Sequence, residues 1–100
     1  MSTFVIERTA QAQNVRVTDD ELVVELNDGR TISVPIAWFP RLLHGTDRER
    51  ANWRLISDGE GIHWPDLDED IEVAQLLAGI PSQESQTSLE KWLKDRNKQK

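Results

Sequence analysis

A β-patterned stretch cut by two reversals constrains the fold of this chain more than any other feature. Val15 and Val17 alternate with Arg16 and Thr18, and Leu22, Val24 and Leu26 alternate with Val23 and Glu25. This two-residue period belongs to strands that bury one face. Asp19-Asp20 separates these runs, and Asn27-Asp28-Gly29 separates the second from Thr31-Ile32-Ser33-Val34. The second reversal is the stronger signal, because Asp-Gly readily takes the positive φ angles of a tight turn. Three antiparallel strands are predicted, with Val15, Val17, Leu22, Val24, Leu26, Ile32 and Val34 facing inward.

Pro35 ends the sheet. Ile36, Phe39, Leu42 and Leu43 then fall at helical spacing, with Pro40 tolerable only in a first turn and Gly45 placed to stop the helix. Thr46-Asp47-Arg48-Glu49 has the hydroxyl and the glutamate of a capping box, predicting a second short helix to about Trp53. Leu55-Ile56 and Ile62-His63-Trp64 flank Asp58-Gly59-Glu60-Gly61, which reads as a hairpin or as one strand with a glycine loop. The loop lacks the lysine and hydroxyl residue of a phosphate cradle, and its acids repel phosphate. Asp66 to Asp70 is predicted to open a helix with apolar positions Ile71, Val73, Leu76 and Leu77 and with Gly79 as its C-terminal cap. Phe39, Leu42, Ile62, Ile71, Trp38 and Trp64 complete the expected core. Residues 80–86 have linker composition. Beyond them Thr87-Ser88-Leu89-Glu90 repeats the capping pattern, and Leu89, Trp92 and Leu93 form a narrow apolar stripe.

The predicted class is α+β: a small antiparallel sheet of three to five strands packed with short helices, followed by a C-terminal helix after a linker. Residues 1–79 form a single domain, 80–86 the linker and 87–100 an amphipathic helix with a basic tail. A chain of 100 residues supports one such domain. With no cysteine, neither a disulfide framework nor a thiolate metal site is available. The N-terminal residues lack the pattern of a signal peptide, and no run approaches the roughly 20 apolar residues of a membrane span, so a cytoplasmic protein is expected. The net charge of −6 is uneven. Residues 1–81 carry 15 acids against 7 Lys and Arg, whereas residues 82–100 carry 3 against 5. An acidic body repels a phosphate backbone, which disfavours direct nucleic-acid binding and favours a basic protein partner.

The run from Asp58 to Ile71 concentrates two turn glycines, His63, Trp64 and six carboxylates. Together with the upstream Ile36-Ala37-Trp38-Phe39-Pro40-Arg41-Leu42-Leu43, it resembles the bacterial domain-of-unknown-function family numbered 2442. The resemblance runs from about Val15 to Leu77, and Ser88-Leu89-Glu90-Lys91-Trp92-Leu93 is similar to an ending found in that family. It implies a small α+β fold whose N-terminal antiparallel sheet packs on short helices. Some relatives add a helix-turn-helix domain, for which the single tail helix here leaves no room. Others lie in two-gene cassettes as suspected partners of a toxin-like protein. The family supplies no catalytic residues.

Asp66, Asp68, Glu69, Asp70 and Glu72 place five acids within seven residues. In a first helical turn they complement the partial positive charge of the helix start. They also form an acidic face on which a cationic protein docks, and Leu89, Trp92 and Leu93 supply a second partner-binding stripe. A homodimer through that stripe is the expected form of contact. Two alternatives stand beside this reading. His63 with Asp66, Asp68 and Asp70 is the donor set of a small metal-dependent hydrolase, although the spacing matches neither a calcium loop nor a helical zinc motif. Arg41, Arg48, Arg50 and Arg54 form a cationic group able to contact nucleic acid, although ion pairing with the 66–72 acids is the plainer role. The expected function is a non-enzymatic protein-binding module without a cofactor, the antitoxin-like or regulatory member of a bacterial two-gene cassette.

Overall fold

The computed structural model describes residues 10–98. The first nine residues of the expected 1–79 body and the last two of the 87–100 tail lie outside the described residues. Strands β1 (Ala12–Val17), β2 (Glu21–Leu26) and β3 (Thr31–Pro35) form an antiparallel sheet in the order β1-β2-β3. Val15 faces Val24, and Leu22 faces Val34. Thr18 closes the first reversal, its hydroxyl oxygen accepting from the Glu21 amide at 3.0 Å. Gly29, at φ +94°, makes the second.

A 3-10 turn, Ile36–Trp38, leads into α1 (Pro40–Leu43) with Pro40 in its first turn, where its missing amide costs nothing. Helix α2 (Asp47–Ala51) carries the full capping box: the Thr46 hydroxyl accepts from the Glu49 amide at 3.1 Å, and the Glu49 carboxylate accepts from the Thr46 amide at 2.9 Å.

Three further strands, β4 (Arg54–Ile56), β5 (Gly61–Trp64) and β6 (Glu69–Glu72), form a second antiparallel sheet in the order β4-β5-β6. The glycine loop therefore joins the two strands of a hairpin. Ser57, Asp58 and Gly59 all have positive φ, and a Cβ on Gly59 would lie 2.8 Å from the Ala12 carbonyl oxygen. Gly59 is needed there for a close approach to β1, not for a phosphate.

The acidic segment departs from the predicted helix. Leu67 donates its amide to the Trp64 carbonyl in a turn, Asp68 sits at φ +50°, and the chain enters β6 with Ile62 opposite Ile71 and Trp64 opposite Glu69. Helix α3 begins only at Val73 and runs to Leu77. A left-handed Asp68 cannot continue a helix, and pairing with β5 satisfies the backbone groups that a first helical turn would leave free. Gly79, at φ +72°, closes the end of α3 as the pattern predicts, donating to the Leu76 carbonyl.

One apolar cluster joins both sheets. Leu22, Val24, Leu26 and Val34 of the first meet Ile62, Trp64 and Ile71 of the second, with Phe39, Leu42, Leu67 and Val73. Val17, Ile32 and Trp38, expected inside, are partly buried at its margin. Residues 80–85 return along the body, where the Ser82 amide donates to the Trp38 carbonyl at 2.9 Å. Helix α4 (Gln86–Lys98) follows, and Ser85 rather than Thr87 is its cap: the Ser85 hydroxyl accepts from the Ser88 amide. Of the apolar stripe on this helix, Trp92 packs against the apolar cluster of its own body. Among the described residues no helix is long and apolar enough to cross a membrane.

Candidate functional site

The alternation of β6 sorts the acids that composition had grouped together. Glu69 shares a strand face with buried Ile71, whereas Asp70 and Glu72 point the other way and are exposed. Two clefts flank the strand. One, of about 510 Å³, is lined by Ile56, Ser57, Glu60, Asp70, Glu72 and Leu77 among others. The other, of about 450 Å³, runs between β6 and the segment before α4 and contains Arg41, Asp68, Glu69, Asp70, Gln75 and Glu84.

Arg41 organises this second groove. Its Nε donates to Glu84 at 3.0 Å and its Nη2 to Glu84 Oε2 at 2.5 Å, while Nη1 donates to the carbonyls of Asp68 at 3.0 Å and Leu67 at 3.3 Å. The Asp68 carboxylate lies 3.7 Å from Nη1. The same guanidinium stands 5.0 Å from the centre of the Trp92 ring system, and Arg96 lies 4.6 Å from it. Arg96 in turn forks onto both oxygens of Glu49 at 2.8 and 3.0 Å. These are charge-assisted bonds, stronger than neutral ones. Arg41 holds the Glu84 carboxyl below its usual range, and Arg96 lowers that of Glu49 to about 2.

Glu69 behaves oppositely. Its Oε2 is buried with no hydrogen-bond partner. Burial, with repulsion from Glu84 and Asp70, pushes its carboxyl up to about 7 against the attraction of Arg41. The groove therefore contains an acid that titrates near neutrality beside an arginine already committed elsewhere.

The other predicted residues do not converge. His63 Nδ1 and Asp70 form a close cross-strand pair. Asp66 instead accepts from the Asn52 amide group at 2.8 Å, and Asp68 lies beside Arg41. Of the four candidate metal donors two thus pair with each other and two turn to Asn52 and Arg41, and among the described residues no group of three or more His, Cys, Asp or Glu is placed to hold a metal ion. The arginine group is divided as well. Arg41 and Arg50 are bonded into the body, and Arg48 and Arg54 are exposed on α2 and β4. Only Arg41 meets the acidic segment as expected. Leu89, Trp92 and Leu93 are all half-buried on α4.

Glu69 and Arg50 stand among the residues singled out from the sequence, but their burial lay beyond that reading. The burial of Glu69 is readable only once the segment is given a strand's parity, which places it with Ile71. Arg50, 7% exposed, donates to the carbonyls of Leu42 and Leu43 at the end of α1. Its only sequence signal is that so short a helix leaves the Leu43 carbonyl open and gives the Leu42 carbonyl only the Gly45 amide.

Fold and groove together define a small α+β domain with two three-stranded antiparallel sheets, a strapped C-terminal helix and a carboxylate-lined groove beside β6. The chain belongs to the family described as "Protein of unknown function (DUF2442)", whose model matches residues 12–82. A crystal structure of a protein of unknown function from Rhodospirillum rubrum is similar with a TM-score of 0.67 and 25% identity, over 77% of this chain and 95% of that one. A solution structure of an uncharacterized protein from Chromobacterium violaceum shares the fold with a TM-score of 0.63 and 17% identity, over 81% of this chain and 74% of that one. No curated protein matches the chain.

Proposed function

We propose that the chain is a non-enzymatic protein-binding module of the bacterial cytoplasm, the antitoxin-like or regulatory member of a two-gene cassette, and that it docks a cationic partner at the groove beside β6. The observation that carries this reading is the Glu69 carboxylate oxygen, buried without a partner beside exposed Asp68 and Asp70. A lysine or arginine side chain from outside supplies the missing donor, and the two exposed aspartates steer it in. The cassette role rests on the family resemblance.

Calorimetric titration with an arginine-rich peptide tests the docking. The native chain should bind with an affinity that falls as salt rises, because opposite charges are brought together. Asp68→Asn with Asp70→Asn should weaken binding and flatten the salt dependence. Equal binding by the native and doubly substituted chains would remove the groove as the docking surface. Co-purification with the product of the adjacent gene tests the cassette role.

A further inference from the structure

The C-terminal strap is attached lightly. Helix α4 has no fully buried residue. Among the described residues its ties are polar or half-exposed: Ser82 to the Trp38 carbonyl, Gln75 to the Pro81 carbonyl, Arg41 to Glu84, Arg96 to Glu49, and Trp92 between the two arginines. Arg41 takes part in two of these. Its Nε and Nη2 serve Glu84 and its Nη1 serves two carbonyls, so the bonds it makes leave Glu69 Oε2 unpartnered in the same groove. One guanidinium is thus committed to Glu84 and to the Asp68 turn, and reaches Glu69 only by Coulombic attraction.

We infer that Glu69 and Arg41 form a proton-operated latch on the C-terminal helix. With Glu69 protonated, Arg41 is held by Glu84 and stacks on Trp92, and α4 is docked. When Glu69 ionises, its charge draws Arg41 away from Glu84 and repels Glu84 itself, and the strap loosens at its root. The groups facing Glu69 are Arg41 of α1, Glu84 of the segment before α4, and Asp68 and Asp70 of its own turn and strand, with His63 of β5 beyond Asp70.

The direction follows from linkage. The docked strap helps to bury Glu69 and adds the repulsion of Glu84, raising the carboxyl to about 7, whereas undocking returns it toward its ordinary 4.5. A group whose pKa is raised in the docked form favours docking at low pH. Docking therefore weakens as pH rises from 4.5 toward 7 and levels off above that. The device does not depend on what the groove binds.

Hydrogen–deuterium exchange on the full chain between pH 5 and 7.5, corrected for the intrinsic pH dependence of amide exchange, reads the latch directly. Protection of residues 86–98 should fall with rising pH, by up to about tenfold per unit inside the window, while β2 stays protected. Glu69→Gln should abolish that slope, and His63→Asn should leave it in place. A flat profile in the native chain, or a slope that survives Glu69→Gln, would overturn the latch. The carboxyl carbon shift of Glu69 provides a second measurement on the unsubstituted chain. A midpoint shared with the α4 exchange profile supports the latch, and separate midpoints refute it.

Discussion

The indole Nε1–H of Trp64 donates to the backbone carbonyl of Arg50 at 3.0 Å, tying the middle strand of the second sheet to α2. Arg50 is the buried counterpart of that tie: its Nε donates to the Leu42 carbonyl at 2.8 Å and its Nη2 to the Leu43 carbonyl at 2.9 Å, closing the end of α1. Its third contact, to Asp19 at 3.0 Å, reaches a carboxylate that is 90% exposed.

These contacts differ in weight. Arg50→Met should cost about 1–3 kcal/mol, because the part-buried Leu43 carbonyl loses its donor and the Leu42 carbonyl is left with the Gly45 amide alone. Asp19→Asn should cost less than about 1 kcal/mol, because an exposed acid regains water. Urea midpoints of the two variants check the order. A larger loss for Asp19→Asn would mean that the ion pair, and not the carbonyl closure, holds α1 and α2 together.

The tail supplies a second test. Helix α4 is 13 residues long, near the length at which an isolated helix is marginal in water. Trp92→Ala should therefore unfold it, lowering the far-ultraviolet helical signal while the thermal transition of the body stays nearly unchanged. Arg41→Lys should reproduce much of that loss, since an ammonium cannot fork onto Glu84 while stacking on an indole. Because the contact lies within one chain, apparent mass in light scattering should not change. Retention of the full helical signal after Trp92→Ala would show that α4 is held elsewhere.

The parts of the fold legible in the sequence were those fixed by local chemistry. The strand alternation from Val15 to Val34, the Asp28-Gly29 reversal, the Thr46–Glu49 capping box and Gly79 each specify their structure within a few residues. The acidic segment was misread because the first turn of a helix and a polar edge strand both accept closely spaced acids. What decided between them was pairing of Ile71 with Ile62, a tertiary event. The site followed the same logic. Individual acids were visible, but the isolation of Glu69 depends on Arg41 being taken by Glu84, 43 residues away. Trp92 presents a partner stripe in isolation, and the apolar cluster it packs on, with the two arginines that bracket its ring, fixes the surface it uses.

Acid should loosen the same helix from its far end. Arg96 forks onto Glu49 and lowers that carboxyl from 4.5 to about 2. A carboxylate depressed in the docked form contributes stability that is present above its ordinary 4.5 and disappears as pH falls toward 2. Glu69 acts with the opposite sign, weakening docking as pH rises from 4.5 toward 7. Docking of α4 should then be strongest near pH 4.5 and decline on both sides. In exchange or helical-signal measurements from pH 2 to 7.5, Glu49→Gln should shrink the acid-side decline, leaving the part that belongs to the Arg41–Glu84 pair, and should leave the alkaline-side decline intact, at the cost of a weaker plateau. Acid-side loss that persists unchanged in Glu49→Gln would assign it to other carboxylates and exclude the Glu49–Arg96 fork as a pH-dependent tie.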